Sequence, residues 1–321
     1  CMPQLTAKKY QLTFIAGVTM KVDDINFKFF HINKWDNGEF KGDAISTTSE
    51  LVKISSDGNL GLEEGQKFER GGIYRFTVDV TKGNTKAVLT VEKVGKVDLP
   101  APDIFFGNDK MEVTDTDIYK SDQAFTQGQM ITVTGIDNLN EWWIDPDFFE
   151  KQSDGALKFL PINGDYRVTA NAVLKYFSVM ALKDGKPAKL QDDGTGAIWA
   201  IGKGIGKPSV TSSEVGWEPS KALCLAQVAS KKYQLTLKAG ETLKTSGDPE
   251  VISFKFFHQN DWGGEFGNYA SSILVEQLKL ADSGNLEMQD NKAFEEGAVY
   301  RFTIDVTNGN ANADLKVEKI N

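Results

Sequence analysis

Residues 254–266 read Phe254-Lys-Phe-Phe-His-Gln-Asn-Asp-Trp262-Gly-Gly-Glu-Phe266. Residues 27–40 read Phe27-Lys-Phe-Phe-His-Ile-Asn-Lys-Trp35-Asp-Asn-Gly-Glu-Phe40. In both stretches an aromatic strand pattern runs into a glycine-containing segment that carries one Trp and one Glu. The two histidines of the chain occupy the same place in the two stretches. We therefore predict one small β module that occurs twice, with the loop after the strand as its ligand contact.

The similarity extends well beyond these two stretches, because residues 1–95 repeat as 224–320. The segments that begin at Cys1 and at Cys224 align without a gap. The two cysteines thus hold equivalent positions in separate modules. We expect no disulfide between them, and we interpret each as a small, half-buried side chain.

Alternating apolar and polar residues predict that both copies are built of strands. Tyr300, Phe302 and Ile304 alternate with polar residues, and Tyr233 begins a second alternating run. Short strands separated by Gly, Asn and Asp turns are typical of an antiparallel sandwich. We predict an all-β protein of tandem immunoglobulin-like or β-sandwich domains.

The repeat and the composition of the intervening sequence divide the chain into four parts. In order they are a first β-sandwich module truncated at its N-terminus (1–95), a Pro-containing linker (96–103), an immunoglobulin-like β domain (104–193) and a second β-sandwich module (194–321). We place the start of the second copy near Gly196, and nothing before Cys1 supplies the equivalent. We expect upstream residues that correspond to 196–223.

Composition narrows the class of partner. The chain has 321 residues and a net charge of −9, so it lacks the basic surplus that nucleic acids and anionic membranes require. No apolar run approaches the roughly 20 residues of a membrane span. We expect a monomer that needs no cofactor and binds a neutral partner.

Tryptophans in glycine-rich loops suggest sugar binding. An exposed indole face can pack against the apolar face of a sugar ring, while polar neighbours bind its hydroxyls. Trp217 and Trp262 each stand beside Gly, and both binding and packing remain open for them. Trp199 lies in an apolar run and is interpreted as core packing.

Polar residues beside Trp262 are candidates to bind sugar hydroxyls. They are Lys255, Asn260, Asp261 and Glu265, for which a solvated loop is the alternative. His31 and His258 are interpreted as satisfied core histidines, because they share a strand face with the Phe pair. Two histidines in separate modules do not form a His-rich metal site.

The middle domain carries the unusual run Trp142-Trp143-Ile-Asp145-Pro-Asp147. We interpret the two Trp residues as packing between domains, with a second sugar platform as the alternative. The two aspartates suit either a calcium site or a Pro-centred turn.

Catalytic motifs are weak. A glycosidase needs two convergent carboxylates, and Asp261 and Glu265 qualify only by proximity. Duplication of one loop favours binding, because linked weak sites gain avidity on a polymer. A glycoside hydrolase and a structural or adhesive surface protein remain the alternatives.

Four short motifs together resemble the modules of the SusE/SusF-type outer-membrane lipoproteins of Bacteroides-like bacteria. The motifs are Ile198-Trp-Ala-Ile-Gly202, Gly216-Trp217, Phe254-Lys255-Phe256 and Trp262-Gly263. The resemblance implies a non-catalytic, lipid-anchored protein that faces the cell exterior and presents polysaccharide or oligosaccharide to an uptake complex of the starch-utilisation type. The anchor itself is not visible in this chain.

The resemblance also implies which residues contact the glycan. In the second copy it implicates Trp217, Trp262 and Lys255. In the first copy it implicates Trp35 and Lys28. The order module, spacer, module departs from a simple tandem, so the identity of the glycan stays open.

Overall fold

The computed structural model describes residues 2–33, 38–99, 101–115, 117–136, 138–245 and 251–321. Over these residues the chain is nearly all β, which confirms the predicted fold class. The helices of the described residues are one α-helix and three 3-10 helices, each of three or four residues: α1 (Val210–Ser213), and the 3-10 helices Leu139–Glu141, Pro219–Lys221 and Asn310–Asn312. None of them has the length and hydrophobicity that a bilayer crossing requires.

The chain forms two compact units, Cys1–Pro100 and Ala101–Asn321. The first unit contains seven strands in the described residues. They are Gln4–Thr6 (β1), Lys9–Ile15 (β2), Ile45–Thr47 (β3), Val52–Ile54 (β4), Leu60–Leu62 (β5), Gly72–Asp79 (β6) and Ala87–Lys96 (β7). Five of them form a sheet in the order β1-β2-β6-β7-β3, and β4 pairs with β5.

The second unit begins with a region of short strands. They are Phe105–Phe106 (β8), Asp109–Lys110 (β9), Glu112–Asp115 (β10), Ile118–Phe125 (β11), Met130–Ile131 (β12), Val133–Thr134 (β13), Phe149–Lys151 (β14), Leu157–Phe159 (β15), Gly164–Asn171 (β16), Tyr176–Lys183 (β17) and Lys186–Pro187 (β18). The main sheet runs β10-β11-β16-β17-β18, beside two three-stranded sheets.

The remainder of the second unit is the second copy of the repeat. Its strands are Trp199–Gly206 (β19), Glu214–Gly216 (β20), Leu223–Cys224 (β21), Ala226–Ala229 (β22), Lys232–Lys238 (β23), Ser253–Phe257 (β24), Ser271–Ile273 (β25), Leu278–Leu280 (β26), Leu286–Met288 (β27), Val299–Asp305 (β28) and Asp314–Lys319 (β29). One sheet has the order β22-β23-β28-β29-β25, which matches β1-β2-β6-β7-β3 strand for strand. The predicted tandem repeat of a β-sandwich module is therefore confirmed.

Alternation of side chains builds the core of this copy. The inward-facing apolar residues of β23 and β28 are at most 1% exposed, as their alternation predicted: Tyr233, Leu235, Leu237, Tyr300, Phe302 and Ile304. In β24, Phe254 and Phe256 face the same core. Phe257 lies on the opposite face of the strand, yet it is also buried, because the ring of Trp262 packs edge-on against it at 6.0 Å.

Strand β19 closes the sandwich. It pairs antiparallel with β24, with Trp199 opposite Phe257 and Gly202 opposite Phe254. Trp199 is 1% exposed and its indole N–H donates to the Ala188 carbonyl at 3.0 Å, so its interpretation as core packing is confirmed. A Cβ on Gly202 would lie 2.3 Å from the Phe254 Cα, so only glycine permits this close approach.

Candidate functional site

The loop that carries Trp262 is a closed backbone hairpin. The His258 amide donates to the Gly264 carbonyl at 2.7 Å, and the Phe266 amide donates to the Phe256 carbonyl at 3.0 Å. Gly263 and Gly264 both have a positive φ, of 81° and 71°, a conformation that favours glycine. The glycine pair after Trp262 therefore sets the turn that presents the indole.

The equivalent loop of the first copy closes in the same way. The His31 amide donates to the Gly38 carbonyl at 2.8 Å, and the Phe40 amide donates to the Phe29 carbonyl at 3.0 Å. The duplicated sequence thus produces a duplicated loop frame. Trp35, predicted to be the contact residue of this copy, lies outside the described residues, so its role stays a prediction.

Two tryptophans of the second copy lie side by side. The ring centroids of Trp217 and Trp262 are 6.2 Å apart and their planes differ by 25°. The Trp262 side chain is 50% exposed, whereas Trp217 is half-buried and packs against the core. Two residues that are 45 positions apart in sequence therefore meet in one aromatic cluster.

Local hydrogen bonds hold the Trp262 backbone in place. The Asp261 carboxylate accepts from the Trp262 amide at 2.8 Å, and the Gln259 side-chain amide donates to the Trp262 carbonyl at 2.7 Å. These bonds reduce the number of backbone conformations open to the loop, so less entropy is lost when a ligand binds.

Trp217 is positioned by the turn that follows β20. Gly216 has a φ of 57°, which redirects the chain at the end of the strand. A 3-10 helix, Pro219–Lys221, begins two residues after Trp217, and its Lys221 forms an ion pair with Glu218 at 3.0 Å. The indole is thus carried on a short ordered segment between two regular elements.

The predicted polar residues occupy different places around this cluster. Lys255 lies in the middle of β24 and shares a strand face with Phe257, the residue on which the Trp262 ring packs. Asp261 and Glu265 are exposed members of the hairpin. In the first copy, Lys28 is half-buried and lines a cavity of about 780 Å³.

Gln259 and Phe257 support the Trp262 loop and were missed by the sequence analysis. The Gln259 side-chain amide donates a hydrogen bond to the Trp262 carbonyl, and the Phe257 ring makes an edge-on contact with the Trp262 ring. The signal for Phe257 was present, because an aromatic residue five positions before Trp262 can meet it across a short hairpin. Nothing in the sequence distinguished Gln259 from a solvated residue.

The prediction that both histidines are satisfied core residues is wrong. His31 is exposed, with its ring edge-on to Phe40 at 5.3 Å. His258 is half-buried, burial lowers its pKa, and its Nε2 has no hydrogen-bond partner among the described residues. The reason is that β24 ends at Phe257, so strand alternation no longer decides where His258 points.

Two family models match successive segments of the chain. The family model described as Domain of unknown function (DUF5121) matches residues 1–81 and 193–307. The chain belongs to the DUF5121 family. The model described as Domain of unknown function (DUF5125) matches residues 97–190, between the two DUF5121 copies. No curated protein matches the chain.

Trp142 and Trp143 of the DUF5125 segment both pack against other residues of the protein. Trp142 is buried and stacks on Phe177, with ring centroids 4.5 Å apart and planes 25° apart. The indole N–H of Trp143 donates to the Glu241 carboxylate of the second DUF5121 copy at 2.7 Å. The prediction of packing between domains is therefore confirmed for Trp143, whereas Trp142 packs inside the DUF5125 segment.

Asp145 and Asp147 converge on one buried lysine of the second DUF5121 copy. The Lys207 ammonium lies 2.8 and 2.7 Å from the two Asp145 oxygens and 3.0 Å from Asp147. Asp147 also accepts from the Gln234 side-chain amide at 2.8 Å and from the Thr236 backbone amide at 2.6 Å. We call Lys207, Asp145 and Asp147 the buried triad.

The electrostatics of the buried triad follow from desolvation and pairing. Desolvation alone would raise the pKa of Asp147, but Lys207 and the donors from Thr236 and Gln234 outweigh it and lower that pKa. Desolvation would likewise lower the pKa of Lys207, and the two carboxylates outweigh it and raise that pKa.

The buried triad argues against a calcium site at Asp145 and Asp147. The Lys207 ammonium already lies where a cation would bind the two carboxylates, and each of its contacts is a charge-assisted hydrogen bond. Across the described ranges, no group of three or more His, Cys, Asp or Glu side chains is placed to hold a metal ion. The two aspartates therefore belong to a structural ion cluster.

Proposed function

We propose that this DUF5121 protein is a non-catalytic glycan-binding protein of the SusE/SusF type. In this proposal it is a monomeric lipoprotein exposed at the outer membrane, and it holds a polysaccharide or oligosaccharide near an uptake complex. Its principal site is the aromatic cluster of the second copy.

The observation that carries the proposal is the pairing of Trp217 with Trp262. Two indoles whose planes differ by only 25° offer neighbouring apolar surfaces to one sugar chain. An aromatic contact of this kind adds about 1 kcal/mol beyond the area that it buries. Two such contacts support weak binding, which a polymer with many repeated units converts into retention.

Polar side chains near the cluster can bind sugar hydroxyls. Asp261 and Glu265 are exposed on the same hairpin as Trp262, and Lys255 lies on the strand that leads into it. A carboxylate accepts hydrogen bonds from hydroxyls and an ammonium donates to them, so together the three residues suit a neutral polyol. The net charge of −9 also favours a neutral ligand over an anionic one.

The proposal is tested by affinity gel electrophoresis against a panel of neutral polysaccharides. We expect one glycan to retard the wild type, and Trp262→Ala to weaken that retardation. The control is Ile273→Ala, which removes another exposed apolar side chain of the same copy and should leave retardation unchanged. Trp217→Ala should act like Trp262→Ala, provided that its thermal unfolding shows that it remains folded.

The two alternatives give different results in the same samples. A glycoside hydrolase would release reducing ends from the retarding glycan, and Glu265→Gln would abolish that release. A structural or adhesive protein would show no retardation by any glycan of the panel, and this result would reject the proposal.

A further inference from the structure

The hairpin that presents Trp262 is closed at its base by His258. The His258 amide donates to the Gly264 carbonyl at 2.7 Å, and a Cβ on Gly264 would lie 3.3 Å from the His258 Cβ. The imidazole ring also meets the Phe266 ring edge-on, with centroids 4.2 Å apart and planes at 79°. His258 therefore contacts both the glycine turn of the hairpin and Phe266, whose amide closes the other hydrogen bond of the loop.

The backbone of His258 is also held by the end of the DUF5125 segment. The buried Leu190 donates its amide to the His258 carbonyl at 2.8 Å. Two residues earlier, the Ala188 amide donates to the Ala181 carbonyl of β17 at 3.0 Å. His258 thus connects the Trp262 hairpin to the main sheet of the DUF5125 segment, and a change at this residue acts on the base of the hairpin.

The imidazole has one nitrogen in an unusual position. The Nε2 atom of His258 is buried and has no hydrogen-bond partner among the described residues. A neutral imidazole carries a proton on one nitrogen only, so Nε2 can stay unprotonated there. An imidazolium carries a proton on both nitrogens, and its Nε2–H would be a buried donor without an acceptor. The closed hairpin therefore favours the neutral ring.

Within the described residues, the segments around His258 offer no buried charge that would stabilise an imidazolium. The charged side chains of the hairpin and of the DUF5125 end are exposed: Asp261, Glu265 and Lys189. Tyr269 stacks on Phe266, and burial raises its pKa, so this phenol stays neutral. The 3-10 helix Asn310–Asn312, hydrogen-bonded to Gln191, has no titratable side chain. Burial lowers the pKa of His258, and none of these groups contributes to the shift.

We propose that His258 is the positioning residue of the Trp262 hairpin, that it acts as the neutral imidazole, and that its protonation opens the hairpin and releases the ligand of the aromatic cluster. Opening the hairpin exposes the ring to water, where it binds a proton with the ordinary pKa of about 6.5. The open form then binds a proton that the closed form excludes, so the closed hairpin loses stability as the pH falls below about 6.5. The inference rests on the proposed glycan binding for the identity of the ligand, and on the hairpin geometry for the pH response.

Hydrogen–deuterium exchange of the full chain at pH 7.5 and 5.5 tests the opening without any ligand. Rates corrected for the intrinsic pH dependence of amide exchange give the protection of the His258 and Phe266 amides, which reports how often the hairpin opens. We expect this protection to fall by up to about tenfold at the lower pH, because the open form binds one extra proton. In His258→Phe the ring stays neutral, so the protection should not depend on pH.

His31→Phe is the matched control, because it makes the same substitution in the equivalent loop of the first copy. It should keep the pH response of the Trp262 hairpin. It also leaves His258 as the only imidazole of the chain, so a proton NMR titration reads that ring alone. We expect the His258 signal to titrate below about pH 6.5. This measurement decides the protonation step even where His258→Phe does not fold.

Affinity gels at the same two pH values connect the hairpin to the ligand. On the glycan that retards the wild type at pH 7.5, mobility is compared with a glycan-free gel at each pH. We expect retardation of the wild type and of His31→Phe to weaken at pH 5.5, and retardation of His258→Phe to persist.

Three results would overturn the proposal. The first is equal protection of the wild-type hairpin at both pH values. The second is a fall in protection of the same size in His258→Phe. The third is a titration of His258 at or above about pH 6.5. Absence of retardation in every sample would instead reject glycan binding, and the exchange result would still decide the role of His258.

Discussion

Removing the Lys207 ammonium should strongly destabilise the second unit. In Lys207→Met the side-chain volume is nearly kept, while Asp145 loses both of its lysine contacts and Asp147 loses one. Asp147 keeps the donors Gln234 and Thr236, so most of the cost falls on Asp145. Breaking a buried ion pair on one side costs about 3–5 kcal/mol, because an unpaired charge stays buried.

Urea unfolding followed by tryptophan fluorescence measures this loss. The matched control is Lys244→Met, which breaks the ion pair with Glu214 at 2.9 Å, where both side chains are about one-third exposed. That pair should contribute no more than about 1 kcal/mol.

The pH dependence provides a second check. In Lys207→Met the buried carboxylates lose the cation that lowers their pKa, so both pKa values rise. The loss of stability should then shrink as the pH falls, because the carboxylates of the variant become neutral at a higher pH than those of the wild type. A cost below about 1 kcal/mol at pH 7, equal to that of the control, would refute the argument that the triad is an effectively buried ion cluster.

Three further predictions follow from single contacts. Trp143→Phe removes the N–H that donates to Glu241, and should lower the free energy of unfolding of the second unit by about 1 kcal/mol in urea denaturation. Gly264→Ala places a Cβ at a φ of 71°, and should cost about 1 kcal/mol and weaken glycan retardation; unchanged stability and retardation would contradict the loop argument. Burial raises the pKa of the Cys224 thiol to about 12, so Cys224→Ala should leave the amount of thiol modified under native conditions at pH 8 unchanged, and lower it only in urea.

The alternation of apolar and polar residues predicted several strands and which of their side chains are buried. The strands that begin near Tyr233 and Tyr300 are formed where predicted, because a period of two decides which side chains are buried. The pattern failed at His258, where the strand ends and the hairpin determines the direction of the side chain. Alternation alone also does not predict that Phe257 is buried, because the Trp262 ring of the following hairpin packs against it.

Alternation patterns could not predict contacts between residues that are far apart in the sequence. The sequence made Asp145 and Asp147 conspicuous, but their partner Lys207 lies 62 and 60 positions further along the chain. A lysine after a glycine-rich strand carries no local sign of burial, and acidic pairs are more often solvated than paired. The Trp217–Trp262 pair was easier to anticipate, since both residues were already candidates for one ligand site.

The two copies show why an identical sequence need not give an identical surface. Lys-Lys-Tyr-Gln-Leu-Thr occurs at residues 8–13 and again at 231–236. In the second copy, Gln234 and the Thr236 amide hold Asp147, so this strand edge becomes part of a buried interface with the DUF5125 segment. In the first copy, Gln11 donates to Thr77 of its own sheet at 3.2 Å, and Thr13 is exposed. The neighbouring segment, rather than the repeated strand, therefore determines whether this edge is an interface.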